Sequence, residues 1–262
     1  MERSLRSFSI MRNQRVFRSF QFREAVYRVH STHFTAVSRE IRRLWNELEQ
    51  FIALNPQFTH ALQPLTAITG TPPESARRMI KASQAANVGP MAAVAGTFAQ
   101  IAAQAGQESG DRETDGETII ENGGDVFLYI QQPLKLGLWV GPESPFRQLA
   151  FMIEPADSPL AVCSSSSSLG HSMSFGQCDL FSVFSRDAAL ADAAATAFCN
   201  RIHTHHDLQS AVETAVGISK IEGAVAIKGD KLAIAGKTPQ LIRHADPDLQ
   251  RKITRHDRSE TL

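Results

Sequence analysis

Apolar residues recur along this chain first at helical and then at strand spacing. Phe34, Val37, Ile41, Leu44, Leu48 and Phe51 fall at three- and four-residue steps, one face of a long amphipathic helix ending near Asn55-Pro56. Before it, Phe17 to Val29 alternates (Phe20, Phe22, Val26) like an opening strand. Thr71-Pro72-Pro73-Glu74 predicts a second helix, with a Thr cap, Pro in the first turn and Glu at the capping-box position. The Gly89-Pro90 break separates it from a third, Ala-rich helix over Met91 to Ala105, and the polar stretch 106–117 reads as an exposed loop.

The period then shifts toward two. Thr118 to Ile130, Leu134 to Val140, Arg147 to Ile153, Leu160 to Ser164 and Asp179 to Phe184 read as successive strands. Asp187 to Ile202 and Asp207 to Ser219 read as helices. Gly223 to Gly236 reads as a hairpin turning at Gly229-Asp230. Helices and strands in blocks predict an α+β fold, an antiparallel sheet with helices packed on one face. No repeat of fixed period is present.

Composition narrows the class. The 262 residues are 42% hydrophobic and 21% charged with zero formal net charge, which excludes a disordered, collagen-like or disulfide-stapled chain. Neutrality also removes the footprint of a dedicated nucleic-acid binder. Charge is uneven, however: residues 1–43 carry ten Arg against three Glu. That stretch has the look of an organellar leader, but reads better as a solvated basic arm. The expected organisation is a basic arm over 1–26, one domain over 27–243 and a polar tail over 244–262. Cys163, Cys178 and Cys199 form no CxxC pair, which fits a reduced, cytoplasmic compartment. The uncharged run Ala82 to Gln107 is long enough to span a bilayer, yet its amides and Ala content favour a buried soluble segment, so no membrane is expected as a partner.

Four segments could carry chemistry. In Asn87-Val88-Gly89-Pro90-Met91-Ala92-Ala93-Val94-Ala95-Gly96, Gly89 at a helix start could admit an anionic ligand to first-turn amides, or could serve close packing. In Glu121-Asn122-Gly123-Gly124-Asp125, twin glycines within a strand pattern imply either a bare backbone that a ligand touches or a simple turn. Cys163 is followed by five serines, among them Ser164 and Ser165, then by Gly170-His171-Ser172. These supply donors for phosphate oxygens and an imidazole base, though a serine run alone reads as a linker. In Ala191-Asp192-Ala193-Ala194-Ala195-Thr196, the carboxylate and hydroxyl stand at i and i+4 on one helix face, a suitable pair for Mg²⁺. The alternative there is a helix-dipole residue beside a packed Thr. His203-Thr204-His205-His206-Asp207 reads as a solvated connector rather than a metal site.

Taken in this order, the four segments resemble the ApbE-type flavin transferases, which split FAD and attach FMN to a Thr or Ser of a partner protein. The resemblance runs from about Tyr27 to Gly236 and is closest to an uncharacterised branch of that superfamily. It implies an ApbE-like, T-fold-related α+β domain that binds FAD or a related diphosphate nucleotide through Mg²⁺. Flavin transfer or FAD pyrophosphate hydrolysis would be its chemistry. Residue by residue, it implies that Gly89, Asn122, Gly123, Gly124, Asp125, Ser164 and Ser165 line the nucleotide site. Asp192, Thr196 and the Ala92 carbonyl would hold the metal, and His171 would be the base that activates an acceptor hydroxyl. In the transferases a Lys stands at the position of Ala93 and an Asp at that of Ser174. The alternative implied is a non-catalytic accessory protein with a partner in sulfur assimilation or homocysteine formation. A flavin or nucleotide ligand, a protein acceptor and a homodimer are the expected associations, with no nucleic acid.

Overall fold

The computed structural model describes residues 15–109, 116–167 and 176–244. The chain opens as a hairpin of β1 (Arg18–Phe22) and β2 (Ala25–Ser31), followed by α1 (Phe34–Leu54), the short α2 (Gln57–His60) and α3 (Glu74–Ala86). A 3-10 turn, Pro90–Ala93, leads into α4 (Val94–Glu108). Then come β3 (Thr118–Asn122), β4 (Asp125–Tyr129), β5 (Leu134–Gly137), β6 (Leu149–Ile153), β7 (Leu160–Ser165) and β8 (Leu180–Ser185). The last elements are α5 (Ala188–Cys199), α6 (Asp207–Val216), β9 (Ile221–Lys228), β10 (Lys231–Gly236) and β11 (Gln240–Arg243).

Eight strands form one antiparallel sheet in the order β1-β2-β3-β4-β7-β8-β9-β10, and β11-β6-β5 form a second, smaller sheet. Alternation along each strand divides the core in two. Ile120, Phe127, Cys163, Phe181 and Val183 face the helices, while Ile119, Val126, Leu128, Val162 and Phe184 face the small sheet. The molecule is thus α+β with its helices on one face of the large sheet, and the small sheet covers part of the other face.

Two predicted single strands are hairpins. Phe17 to Val29 folds back at Arg23, whose φ is 54°, and Thr118 to Ile130 folds back at Gly123-Gly124. Residues 18–26 of the basic arm therefore belong to the sheet. The Thr71 cap is a further correction: the N-cap is Pro73, and no side chain caps α3 there. The short α2 and the strand β11 had no periodic signal of their own. No described helix is long and apolar enough to cross a membrane.

The helix that matters most is α5. Every residue of Ala188–Cys199 except Thr196 is buried, as an all-round apolar helix should be. Its alanines allow α4 to approach closely. A Cβ at Gly96 would lie 2.4 Å from the Ala188 carbonyl oxygen, so glycine is required at that crossing. Gln100 of α4 adds a polar clasp, donating to the Arg186 carbonyl and accepting from the Ala188 N–H.

Candidate functional site

Asp192 points from α5 to the start of α4. Its Oδ2 accepts the Gly96 N–H at 2.9 Å, and the Ala95 N–H also bonds it. The carboxylate thus caps the first turn of a neighbouring helix, where free amides and the helix dipole favour negative charge. Burial nevertheless pushes its pKa up to about 7, against the two amides that lower it.

The second carboxylate comes from the sheet. Asp125 begins β4, just after the Gly123-Gly124 turn, and alternation turns it to the helix side with Phe127. Its Oδ1 accepts the Ser164 N–H at 3.1 Å, tying the start of β4 to the end of β7. Burial, and then the charge of Asp192, hold the Asp125 carboxyl well above the usual range. Cys163 completes the cluster: its thiol hydrogen-bonds Asp125 and lies 3.6 Å from the Ala188 carbonyl oxygen. Burial, then the Asp125 charge, raise that thiol too. Among the described residues no Lys, Arg or His pairs with either carboxylate. Two buried like charges without a cation are costly.

The twin glycines make a two-residue hairpin turn, with φ of +65° at Gly123 and +102° at Gly124. Both values lie in the region that favours glycine in such turns. Gly124 donates to Glu121 Oε1 at 3.0 Å. The turn is also bare: a Cβ at Gly123 would meet nothing within 4 Å. Gly123, Gly124, Ser164 and Ser165 line a cavity of about 370 Å³ between the two sheets. Ser164 Oγ lies 2.8 Å from Ser182 Oγ. Arg28, Lys135 and Arg147 add positive charge to the cavity wall, Glu121 a negative one, His244 an imidazole and Trp139 an aromatic face. Apart from Glu121, none of these residues was singled out in the sequence, because they come from β2, the small sheet and the residues flanking it.

The structure therefore joins Asn122, Gly123, Gly124 and Asp125 of one hairpin to Ser164, Ser165 and Asp192. Asn122 is buried at the end of β3, opposite Tyr27. Thr196 is the half-buried position of α5, one turn beyond Asp192. Ala92 lies in the 3-10 turn that packs against α5. Gly89 departs from the ligand-admitting reading. A Cβ there would lie 1.6 Å from the Ala61 carbonyl oxygen, so packing requires the glycine, and the amides of the α4 first turn go to Asp192. His171 falls in 168–175, outside the described residues. Among the described residues no three or more His, Cys, Asp or Glu side chains are grouped to hold a metal. The 203–207 segment serves the chain itself, Asp207 Oδ2 accepting from the His203 and Thr204 N–H groups.

An α+β domain of helices over a large antiparallel sheet, with a cavity beside a bare glycine turn, is the architecture that the ApbE-like resemblance implies. A family model described as "AbpE bacteria" matches residues 26–219. The UPF0280 protein of Methanocella arvoryzae is 39% identical over 248 residues, covering 91% of this chain and 98% of that one. The chain belongs to the UPF0280 family, a branch of the ApbE-like superfamily. The ApbE protein of Thermotoga maritima has a similar fold, with a TM-score of 0.50 at 11% identity, over 92% of this chain and 100% of that one. The flavin transferase ApbE from Vibrio cholerae aligns with a TM-score of 0.47 at 14% identity, over 85% and 96%.

Proposed function

We propose that this chain binds FAD or a related diphosphate nucleotide together with Mg²⁺. The observation that carries the reading is the uncompensated pair of buried carboxylates, Asp125 and Asp192, beside the bare Gly123-Gly124 turn. Asp192, the Thr196 hydroxyl and the Ala92 carbonyl would hold the cation, with Asp125 as a second carboxylate. The donor set fits, because Mg²⁺ takes one or two carboxylates and leaves its other positions to water and substrate phosphates. When bound, the ion neutralises a diphosphate and polarises its oxygens.

The chain's own residues supply the rest. Gly123 and Gly124 leave the hairpin without side chains at the rim of the cavity, next in the chain to Asp125, whose own side chain turns to the helix face of the sheet. Ser164 and Ser165 offer donors at the end of β7. Lys135 and Arg147, with Arg28 opposite Glu121 across the β2–β3 pair, leave the wall net positive in a cavity whose apolar walls suit a ring system. His171 is assigned the proton of an acceptor hydroxyl, as the resemblance implies, should transfer to a protein occur.

One observation favours binding without transfer. Ala93, at the position of the transferases' Lys, is fully buried, and its carbonyl accepts the Thr97 hydroxyl. That place is apolar core here and has no room for a cation. A non-catalytic accessory protein that keeps the fold, with a partner in sulfur metabolism, is therefore the second reading. Incubation of the purified protein with FAD and Mg²⁺, followed by chromatography for FMN and AMP, separates the two. Mg²⁺-dependent turnover lost in Asp192→Ala supports the enzyme. Retained but unaltered FAD supports binding without transfer, and no retention of FAD at all overturns nucleotide binding and leaves the accessory role.

A further inference from the structure

The first strand carries a feature that nucleotide binding does not use. β1 is an edge of the large sheet, five residues or about 17 Å of backbone whose outer side faces no described strand. Edges of this kind are normally blunted by charge, Pro or a bulge; Arg18-Ser19-Phe20-Gln21-Phe22 has no Pro and no bulge, and its one charge is Arg18. The chain reaches β1 from the side of β3, because Arg15 is tied to Glu117 and to the Gln132 and Pro133 carbonyls.

A cationic surface adjoins this edge. The Arg18 guanidinium lies 5.2 Å from the centroid of the Phe34 ring, and that of Arg42 lies 5.1 and 5.3 Å from the Phe20 and Phe22 rings. Both arginines are exposed, as is Arg39 one turn before Arg42. None of the three has an ion pair among the described residues, whereas Arg23 and Arg43 pair with glutamates. The phenyl rings hold the guanidiniums in place without neutralising them.

We propose that β1 is the docking edge for an acidic, extended segment of a partner protein, which adds to the sheet as a further strand and sets its carboxylates against Arg18, Arg39 and Arg42. Strand addition supplies main-chain hydrogen bonds, and the fixed arginines supply specificity for charge. The same charges disfavour other occupants. Residues 1–14 carry Arg3, Arg6 and Arg12 against Glu2, and so have the wrong sign. A second copy paired antiparallel through β1 would set Arg18 opposite the Phe22 end, where the other copy's Arg23 and Arg42 stand. Bases of a nucleic acid would find the Phe20, Phe22 and Phe34 rings already taken by guanidiniums.

The test uses the full chain and a fluorescent peptide of strand length alternating Glu and Thr, followed by anisotropy at low salt. The expected result is saturable binding, weakened about tenfold or more by Arg18→Glu with Arg42→Glu, and abolished when alternate peptide amides are N-methylated. The methylated peptide keeps its charge and leaves the protein unaltered, so its loss reads strand addition itself. Equal binding of the methylated peptide would overturn the proposal. So would no binding, tighter binding of a single-stranded oligonucleotide or anionic vesicles at the same residues, or dimerisation that masks the edge.

Discussion

Replacing Asp192 by Asn should make the ligand-free protein more stable at pH 8, at a site where most polar substitutions would weaken it. In the folded chain burial holds Asp192 near pH 7, against 3.8 for an ordinary Asp. Between those values the folded state keeps a proton that the unfolded state has released. Stability therefore falls as pH rises through this window, by about 1.4 kcal/mol per pH unit, and levels off above it. Summed over the window, the wild type loses up to about 4 kcal/mol that an uncharged side chain does not lose. Asn keeps an oxygen for the Gly96 N–H. Urea unfolding of both proteins with a chelator present, at pH 5 and pH 8, measures the effect. The difference between variant and wild type should move in favour of Asn by roughly 3 kcal/mol from pH 5 to 8. Groups that do not interact with Asp192 cancel in that difference, and Asp125, freed of the Asp192 charge in the variant, shifts it in the same direction. A difference that stays flat with pH, or an Asn variant less stable at pH 8, would refute the reasoning.

Three further outcomes follow from the packing. Gly96→Ala places a Cβ against the Ala188 carbonyl and forces α4 and α5 apart, costing roughly 1–3 kcal/mol in urea unfolding and disturbing the Asp192 contacts. Glu117 is partly buried, which alone would raise its pKa, but Arg15 and the Gln131 and Gln132 amides outweigh this and hold it low. Its contribution of about 1 kcal/mol is present above the ordinary carboxylate range and lost as pH falls through the lowered folded value, so Glu117→Gln should cost stability at pH 7 and little at pH 3. Cys163, Cys178 and Cys199 are buried, and burial helps to raise Cys163 and Cys178, so a thiol reagent at pH 8 should titrate none in the native protein and three after unfolding.

The elements with strong periods were legible: α1 through its apolar stripe, α5 through its unbroken small apolar run, and β9–β10 through Gly229-Asp230. Hairpins with weaker turns were not, because a positive φ at Arg23 leaves no compositional mark, and twin glycines fit a bulge as well as a turn. In the site, Asp125 and Asp192 could be named from their segments, but not their convergence, which depends on strand order and on Gly96 bringing α4 onto α5. Gly89 stayed open between packing and ligand, because a glycine required by the Ala61 carbonyl looks the same in sequence as one required by a ligand. The cavity's cations lie on segments far apart in the chain, and only the second sheet brings them together.

The central claim is that the Asp192 carboxylate, with Asp125 behind it, holds Mg²⁺ for a diphosphate nucleotide. Thermal unfolding with FAD in excess, with and without Mg²⁺, tests it most directly, since a ligand that binds only the native state must raise the melting temperature. The account predicts a rise with both together that neither gives alone, absent in Asp192→Asn although that variant is itself well folded. Equal responses of wild type and variant, or no response of the wild type to FAD with Mg²⁺, would contradict it.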